Sequence, residues 1–226
     1  MITSAELDST FLRLIDEFQT DNFLEDERSA FLKEAEMIVF KQLVHNDAAP
    51  SRMYVPGANA YFESNQKMAE YIKPFKRELE DTSGGNAEIL FSYLESQNPS
   101  RTIYGVNEIS VKGSGDTEYI PATWKSEAMA AKQKRMAFYG PNICNPWYVI
   151  KEDRYQLYPN NMDELDYVLV YTLMPQGIDL AGGVGSDFHE VLRLMICWKA
   201  VELAGSAIRD QGIVAYAKSM YHQSGV

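Results

Sequence analysis

Tyr167-Val168-Leu169-Val170-Tyr171-Thr172-Leu173-Met174-Pro175 is a run of β-branched, aromatic and aliphatic residues closed by a proline, and Ser186-Asp187-Phe188-His189-Glu190-Val191-Leu192 opens a segment with apolar residues at helical spacing. The change of period between these stretches decides the fold class. Val and Tyr fit the pleated, half-buried surface of a sheet, so the first stretch reads as a strand. In the second, Phe188, Val191, Leu192, Met195, Cys197, Trp198 and Val201 fill the buried side of a helix. Asp187 is placed to cap that helix, with Glu190 three residues later completing a capping box. Pro175 and the run Gly182-Gly183-Val184-Gly185 separate the two periods, and the glycines read as a flexible hinge.

Strand chemistry recurs upstream at 103–106, 109–111, 147–150 and 155–158. The last two flank Lys151-Glu152-Asp153-Arg154, a charged tetrapeptide suited to a hairpin turn. Residues 126–136, with Ala128, Ala130, Ala131 and Met136, read as a helix inserted between strands. The chain begins with two amphipathic helices on either side of the polar break Gln19-Thr20-Asp21-Asn22. One carries Leu7, Phe11, Leu14, Ile15 and Phe18; the other carries Phe31, Leu32, Ala35, Ile38, Val39, Phe40 and Leu43. They are expected to pair as a helical hairpin. From Asp47 to Gly85 the period weakens at Pro50, Pro56 and Gly57, and only 61–80 carries a further helix, broken at Pro74. The expected class is α+β: a helical bundle of N- and C-terminal helices (1–46 and 176–226), an extended arm (47–85), and a small antiparallel β-sheet insertion (86–175).

Composition restricts function. The chain has 226 residues, 46% hydrophobic and 23% charged, enough for a sizeable globular core. Against 21 Lys and Arg stand 32 Asp and Glu, so a net charge of −11 repels nucleic acid and argues against tight DNA binding. Cys144 and Cys197 are far apart and form no CxxC or Cys/His metal pattern, which points to folding in a reducing, intracellular place. Met1-Ile2-Thr3-Ser4-Ala5-Glu6 lacks the basic start and apolar run of a signal peptide, and no stretch approaches the roughly 20 apolar residues of a membrane helix.

Reactive constellations are sparse. His189-Glu190 opens like a zinc-protease helix, but Arg193 stands where the second histidine is required. His45 and His222 fall near helix ends, where the dipole favours a cation. No G-x-S-x-G nucleophile elbow occurs. The Gly182–Ser186 loop resembles a phosphate cradle but has no following Lys and places Asp187 where the phosphate would sit. With His189, it supports the alternative reading, a small α+β enzyme. Asp163, Glu164 and Asp166 lack the spacing of a calcium loop and read as a solvated turn. No catalytic, cofactor or metal residue is therefore assigned, and no cofactor is expected. A basic stretch, Lys125, Lys132, Lys134 and Arg135, runs against the global charge, with Lys132 and Arg135 sharing a helix face. Fourteen tyrosines and three tryptophans suit assembly, because aromatics dominate buried interfaces. The interface candidates are Lys132, Arg135, Trp147, Tyr148 and Tyr155.

The order of parts resembles a known family. An opening with Leu14-Ile15-Asp16-Glu17-Phe18 precedes a sheet insertion. The strand through Tyr171 to Pro175 then leads to the helix start Phe188-His189-Glu190-Val191-Leu192, continuing through Ala200-Val201-Glu202-Leu203-Ala204. This is similar to the head-to-tail connector (adaptor or ring) proteins of tailed bacteriophages, most like those of crAss-like phages; Leu192 departs slightly from that pattern. The resemblance spans nearly the whole chain and rests on short structural motifs. It implies a structural virion protein at the head–tail junction, assembled in the host bacterial cytoplasm and free of enzymatic activity. It also implies a homo-oligomeric ring, twelve copies in the family, stacked under the portal protein and beside other tail or ring proteins, around the channel of genome ejection. Double-stranded DNA would pass without specific binding, which the excess of acid groups favours, since few cationic contacts mean little counterion release. No membrane partner is implied.

Overall fold

The computed structural model describes residues 1–16, 18, 23–48 (backbone only at 45–48), 69–81, 87–113, 116–134, 140–142, 144–158 and 165–223. The polar break at 19–22, most of the weak-period stretch (49–68 and 82–86), Arg135, Asp163 and Glu164 lie outside them. The fold is α+β, and it divides into two compact units, one of Met1–Phe75 with Pro175–Val226 and one of Lys76–Met174.

The first unit is helical. Helix α1, Ser4–Asp16, starts at a capping box that the sequence reading did not single out. Thr3 Oγ1 accepts from the Glu6 amide at 3.3 Å, and Glu6 Oε2 accepts from the Thr3 amide at 2.9 Å and the Thr3 hydroxyl at 2.7 Å. Those donors hold the Glu6 carboxyl below its usual pKa. The α1 stripe Leu7, Phe11, Leu14 and Ile15 is buried as its spacing predicts. Helix α2 spans Glu25–Ala48.

The C-terminal pair is α5, Arg193–Ala207, and α6, Gln211–Gln223. Helix α5 buries Met195, Ile196, Cys197, Trp198, Ala200, Val201 and Ala204, which leaves little of its circumference polar. A helix apolar on nearly all sides needs neighbours on nearly all sides, and α1, α2 and α6 each pack on α5. The expected hairpin of the first two helices is thus corrected: both lean chiefly on α5. They are also tied to each other by Arg28, whose Nε and Nη2 reach Asp8 Oδ1 and Oδ2 at 2.7 and 3.1 Å. Gly205 lets α6 approach, since a Cβ there would lie 2.8 Å from Ile213 Cγ2.

The presumed arm contributes to this core. Residues 69–72 are helical, Lys73–Phe75 form a 3-10 turn at Pro74, and Ile72 and Phe75 are fully buried. Phe75 packs between Phe40 and Phe188, with ring centroids 5.2 and 4.7 Å away.

The second unit holds the strands β1 Lys76–Asp81, β2 Glu88–Leu90, β3 Ile103–Gly113, β4 Ile120–Pro121, β5 Thr123–Trp124, β6 Trp147–Ile150, β7 Arg154–Tyr158 and β8 Leu165–Leu173. Helix α3 is Phe91–Ser96 and helix α4 is Glu127–Gln133. The expected single antiparallel sheet is two four-stranded sheets, ordered β1-β8-β3-β4 and β2-β7-β6-β5, with β5 and β6 paired in parallel. In the first, β8 is an inner strand and buries Leu165, Tyr167, Leu169, Tyr171 and Leu173. These side chains form one cluster with Ile89, Leu94 and Leu157, so the two sheets share a core. The 151–154 turn joins β6 to β7 as expected, closed by the Lys151 amide donating to the Arg154 carbonyl at 2.9 Å. Arg154 also forks onto Asp153 and bonds Glu88 of β2. Ser126 caps α4, its hydroxyl accepting from the Met129 amide at 3.4 Å. Among the described residues, no helix is long and apolar enough to cross a membrane.

Candidate interaction surface

The glycine run that the sequence offers as a hinge or phosphate cradle is a closed turn. Asp179 and Val184 exchange backbone hydrogen bonds of 3.0 and 2.8 Å, and Gly183 takes φ +70° between them. Asp179 Oδ1 accepts from the Gly182 amide at 3.0 Å, so a carboxylate already sits where a phosphate would collect such a donor. Gly185 lies against the N-terminus: Ile2 and Ser186 exchange backbone bonds of 2.9 and 2.8 Å, and a Cβ on Gly185 would stand 2.1 Å from the Ile2 carbonyl oxygen. The turn is fastened at both ends, which corrects the hinge.

The helix start also differs from the expected capping box. His189, not Asp187, is the N-cap, its Nδ1 accepting from the Val191 amide at 3.3 Å. It caps a 3-10 turn, Glu190–Leu192, and Glu190 pairs with Arg193 at 2.8 Å. A 3-10 turn advances 120° per residue, so the stripe extrapolated back from α5 misplaces Val191, which is 59% exposed while Leu192 is buried. Ser186 has a different role: its hydroxyl donates to Glu36 Oε1 at 2.5 Å and accepts from the Phe188 amide at 3.2 Å, inside the core.

Two substitutions separate these roles. His189→Ala removes an exposed cap and is expected to cost at most about 1 kcal/mol. Ser186→Ala takes a hydrogen bond from a buried carboxylate and is expected to cost about 1–3 kcal/mol. Urea unfolding of both variants checks the order; equal losses would remove the distinction.

Elsewhere, polar groups are engaged locally. Asp166 of the presumed acidic turn pairs with Lys112 at 3.5 Å. Among the described residues no group of three His, Cys, Asp or Glu is arranged to hold a metal ion. Cys144 is exposed and Cys197 buried, both as free thiols. Burial pushes the Cys197 thiol up to about 12, and its S–H donates to the Leu7 carbonyl at 3.7 Å. His222 is exposed in the last turn of α6, and the side chain of His45 falls outside the described residues.

The interface candidates divide. Trp147 is 0% exposed, packed with Ala130, Val149 and Tyr158 beneath α4, so it is a core residue and its assignment to an interface is corrected. Tyr148 and Tyr155 are half-buried and meet edge to face with centroids 6.0 Å apart, and the Phe91 ring centroid stands 4.9 Å from that of Tyr155. Burial raises both phenols above their ordinary pKa. Lys132 is exposed on α4; Arg135 lies outside the described residues.

The residues that reading missed are Trp124, Met129 and Ile150, large apolar side chains exposed by 49–55%. Alternation along β6 separates Trp147 and Val149 from Tyr148 and Ile150, but it does not say which face α4 covers. Beside that helix is a cleft of about 190 Å³, with buried Ala130, Val149 and Tyr158 and exposed Glu127, Ala131, Lys134 and Lys151 in its lining. Lys134 Nζ lies 3.9 Å over the Tyr158 ring, and Lys151 Nζ donates to Gln156 Oε1 at 3.3 Å. In the helical unit, a wider groove of about 440 Å³ runs along Asp26, Ser29 and Lys33 of α2 opposite Gln176 and Asp179. Its charges are mixed, and Ser29 is already bonded to the Leu180 amide at 3.2 Å. No protein-family model and no curated protein matches the chain.

Proposed function

We propose that this chain is a structural subunit of the head-to-tail connector of a tailed bacteriophage, of the kind found in crAss-like phages. In this reading, copies close into a ring at the portal–tail junction of the virion, twelve by family resemblance, and the genome leaves through its channel. The observation that carries the reading is where the family-like motifs fall. Residues 167–173 belong to β8, an inner strand of its sheet, and Pro175 is where the chain re-enters the helical unit, while 188–204 is the entry and body of α5, on which the other helices pack. Both motifs are frame elements whose side chains are largely buried, as suits a protein that works by holding a shape.

Two further features support the reading. Large apolar side chains stand exposed on both units, Trp124 and Met129 on one and Leu194 and Tyr216 on the other, as assembly surfaces require. A net charge of −11 keeps passing DNA from adhering to the wall of a channel. Light scattering with electron microscopy tests the proposal on the full chain. Closed rings of defined multi-copy mass are expected. A monomer or small oligomer at every concentration, with a melting temperature that rises on adding a nucleotide, would instead favour the small-enzyme alternative built on the Gly182–Ser186 loop and His189.

A further inference from the structure

We infer that the basic cleft beside α4 is a socket for a second copy of this chain and takes the acidic first turn of that copy's α2. The inference rests on the ring reading and names the surfaces that would join neighbours.

The socket has the chemistry of a carboxylate acceptor. Lys134 and Lys151 stand exposed on its rim. The Tyr158 ring, buried under Lys134, fixes the direction of that ammonium, and Gln156 anchors the other. Between them the floor is apolar, Ala130 and Val149, so a carboxylate entering the cleft would meet two cations in surroundings partly shielded from water, where their attraction exceeds that on an open surface. Glu127 supplies the only negative charge among the described lining residues. Lys132 on the same helix and Lys125 just before it add cationic charge on that side, against Glu152 and Asp153 in the turn that follows Lys151.

The same chain carries a plug of complementary kind. Helix α2 begins Glu25-Asp26-Glu27, all exposed, and directly before it Leu24 is 70% exposed. Glu27 is engaged as a cap, its Oε2 accepting from the Leu24 amide at 2.9 Å. Glu25 and Asp26 remain to face the two lysines, with Leu24 available to the apolar floor. Plug and socket are different surfaces of one chain, so each copy offers both. Such a heterologous contact propagates head to tail and closes into a ring when the rotation between copies permits.

The test measures particle mass by light scattering across protein concentration in low and high salt. For the wild type, assembly should weaken as salt rises, because the contact is electrostatic. K134E/K151E and, separately, E25K/D26K should each raise the assembly midpoint by about tenfold or more, while each variant subunit still melts cooperatively, a few degrees lower at most because its new charges oppose the helix dipoles. Combining the two sets restores complementary charge with reversed polarity and should bring the midpoint back near wild type. Three results would overturn the socket while leaving the ring: wild-type rings that K134E/K151E does not affect, a combined variant that is not rescued, or a short DNA duplex bound by the wild type and lost in K134E/K151E, which would make the cleft a phosphate site. A wild type that never assembles sinks the ring reading itself and the socket with it.

Discussion

Deletion of residues 47–85 is expected to abolish folding. An extended arm, as the weak periodicity of this stretch predicts, would be dispensable to the fold of the subunit. The structure reverses that expectation. Ile72 and Phe75 are fully buried in the helical core, and Phe75 lies between the rings of Phe40 and Phe188. Strand β1 pairs with β8 over six positions, from Lys76 opposite Thr172 to Asp81 opposite Tyr167. Truncating a large buried side chain costs about 2–5 kcal/mol, and two such residues alone approach the ~5–15 kcal/mol that holds a domain together. The loss of β1 then leaves one edge of β8, an inner strand of its sheet, without its partner. Circular dichroism and a thermal melt of the deletion variant should show no cooperative transition. A soluble deletion protein melting near wild type would return the segment to the status of an arm.

What was legible in the sequence follows from which forces act locally. Strands β3, β6, β7 and β8 carry β-branched and aromatic residues on at least one buried face, so composition and period locate them within a residue or two. Helix α4 is legible from its alanines, Ala128, Ala130 and Ala131, and the structure adds the Ser126 cap. Strand β1 does not: Lys76-Arg77-Glu78-Leu79-Glu80-Asp81 has one apolar residue and is held by its ladder to β8, a non-local partner that no window of sequence contains. The α1–α2 hairpin failed for a related reason. Both stripes are apolar as their spacing predicts, but the surface they chiefly cover belongs to α5, more than a hundred residues away, and Phe40 of α2 also meets Phe75. The 3-10 turn at Glu190–Leu192 shifted one residue, Val191, out of a stripe otherwise placed correctly. Trp147 was misassigned because aromatic composition alone does not distinguish a buried ring from an interface ring; its depth depends on α4 lying over it. The Lys134–Lys151 cleft was half visible as a basic stretch, and its other half came from the β6–β7 turn.

Trp198→Ala is expected to destabilise the isolated subunit strongly. Trp198 is 4% exposed in a single chain, on the most enclosed helix of its unit, with its ring edge-on to Tyr216 of α6 at 5.7 Å between centroids. Because it is covered without a second copy, it is core and not an interface anchor. Removing it should cost about 3–5 kcal/mol, which for a chain of this length lowers the melting temperature by roughly 6–20 °C. A variant that melts like the wild type but fails to form rings would show instead that Trp198 serves a neighbour. Fluorescence gives an independent check, because the three tryptophans differ so widely in depth: Trp124 is 55% exposed, while Trp147 and Trp198 are buried. Iodide should quench the wild type mainly through Trp124, and Trp124→Phe should leave emission that iodide barely reaches. Strong quenching in Trp124→Phe that disappears when Trp198→Phe is added would place Trp198 at the surface and overturn its assignment to the core.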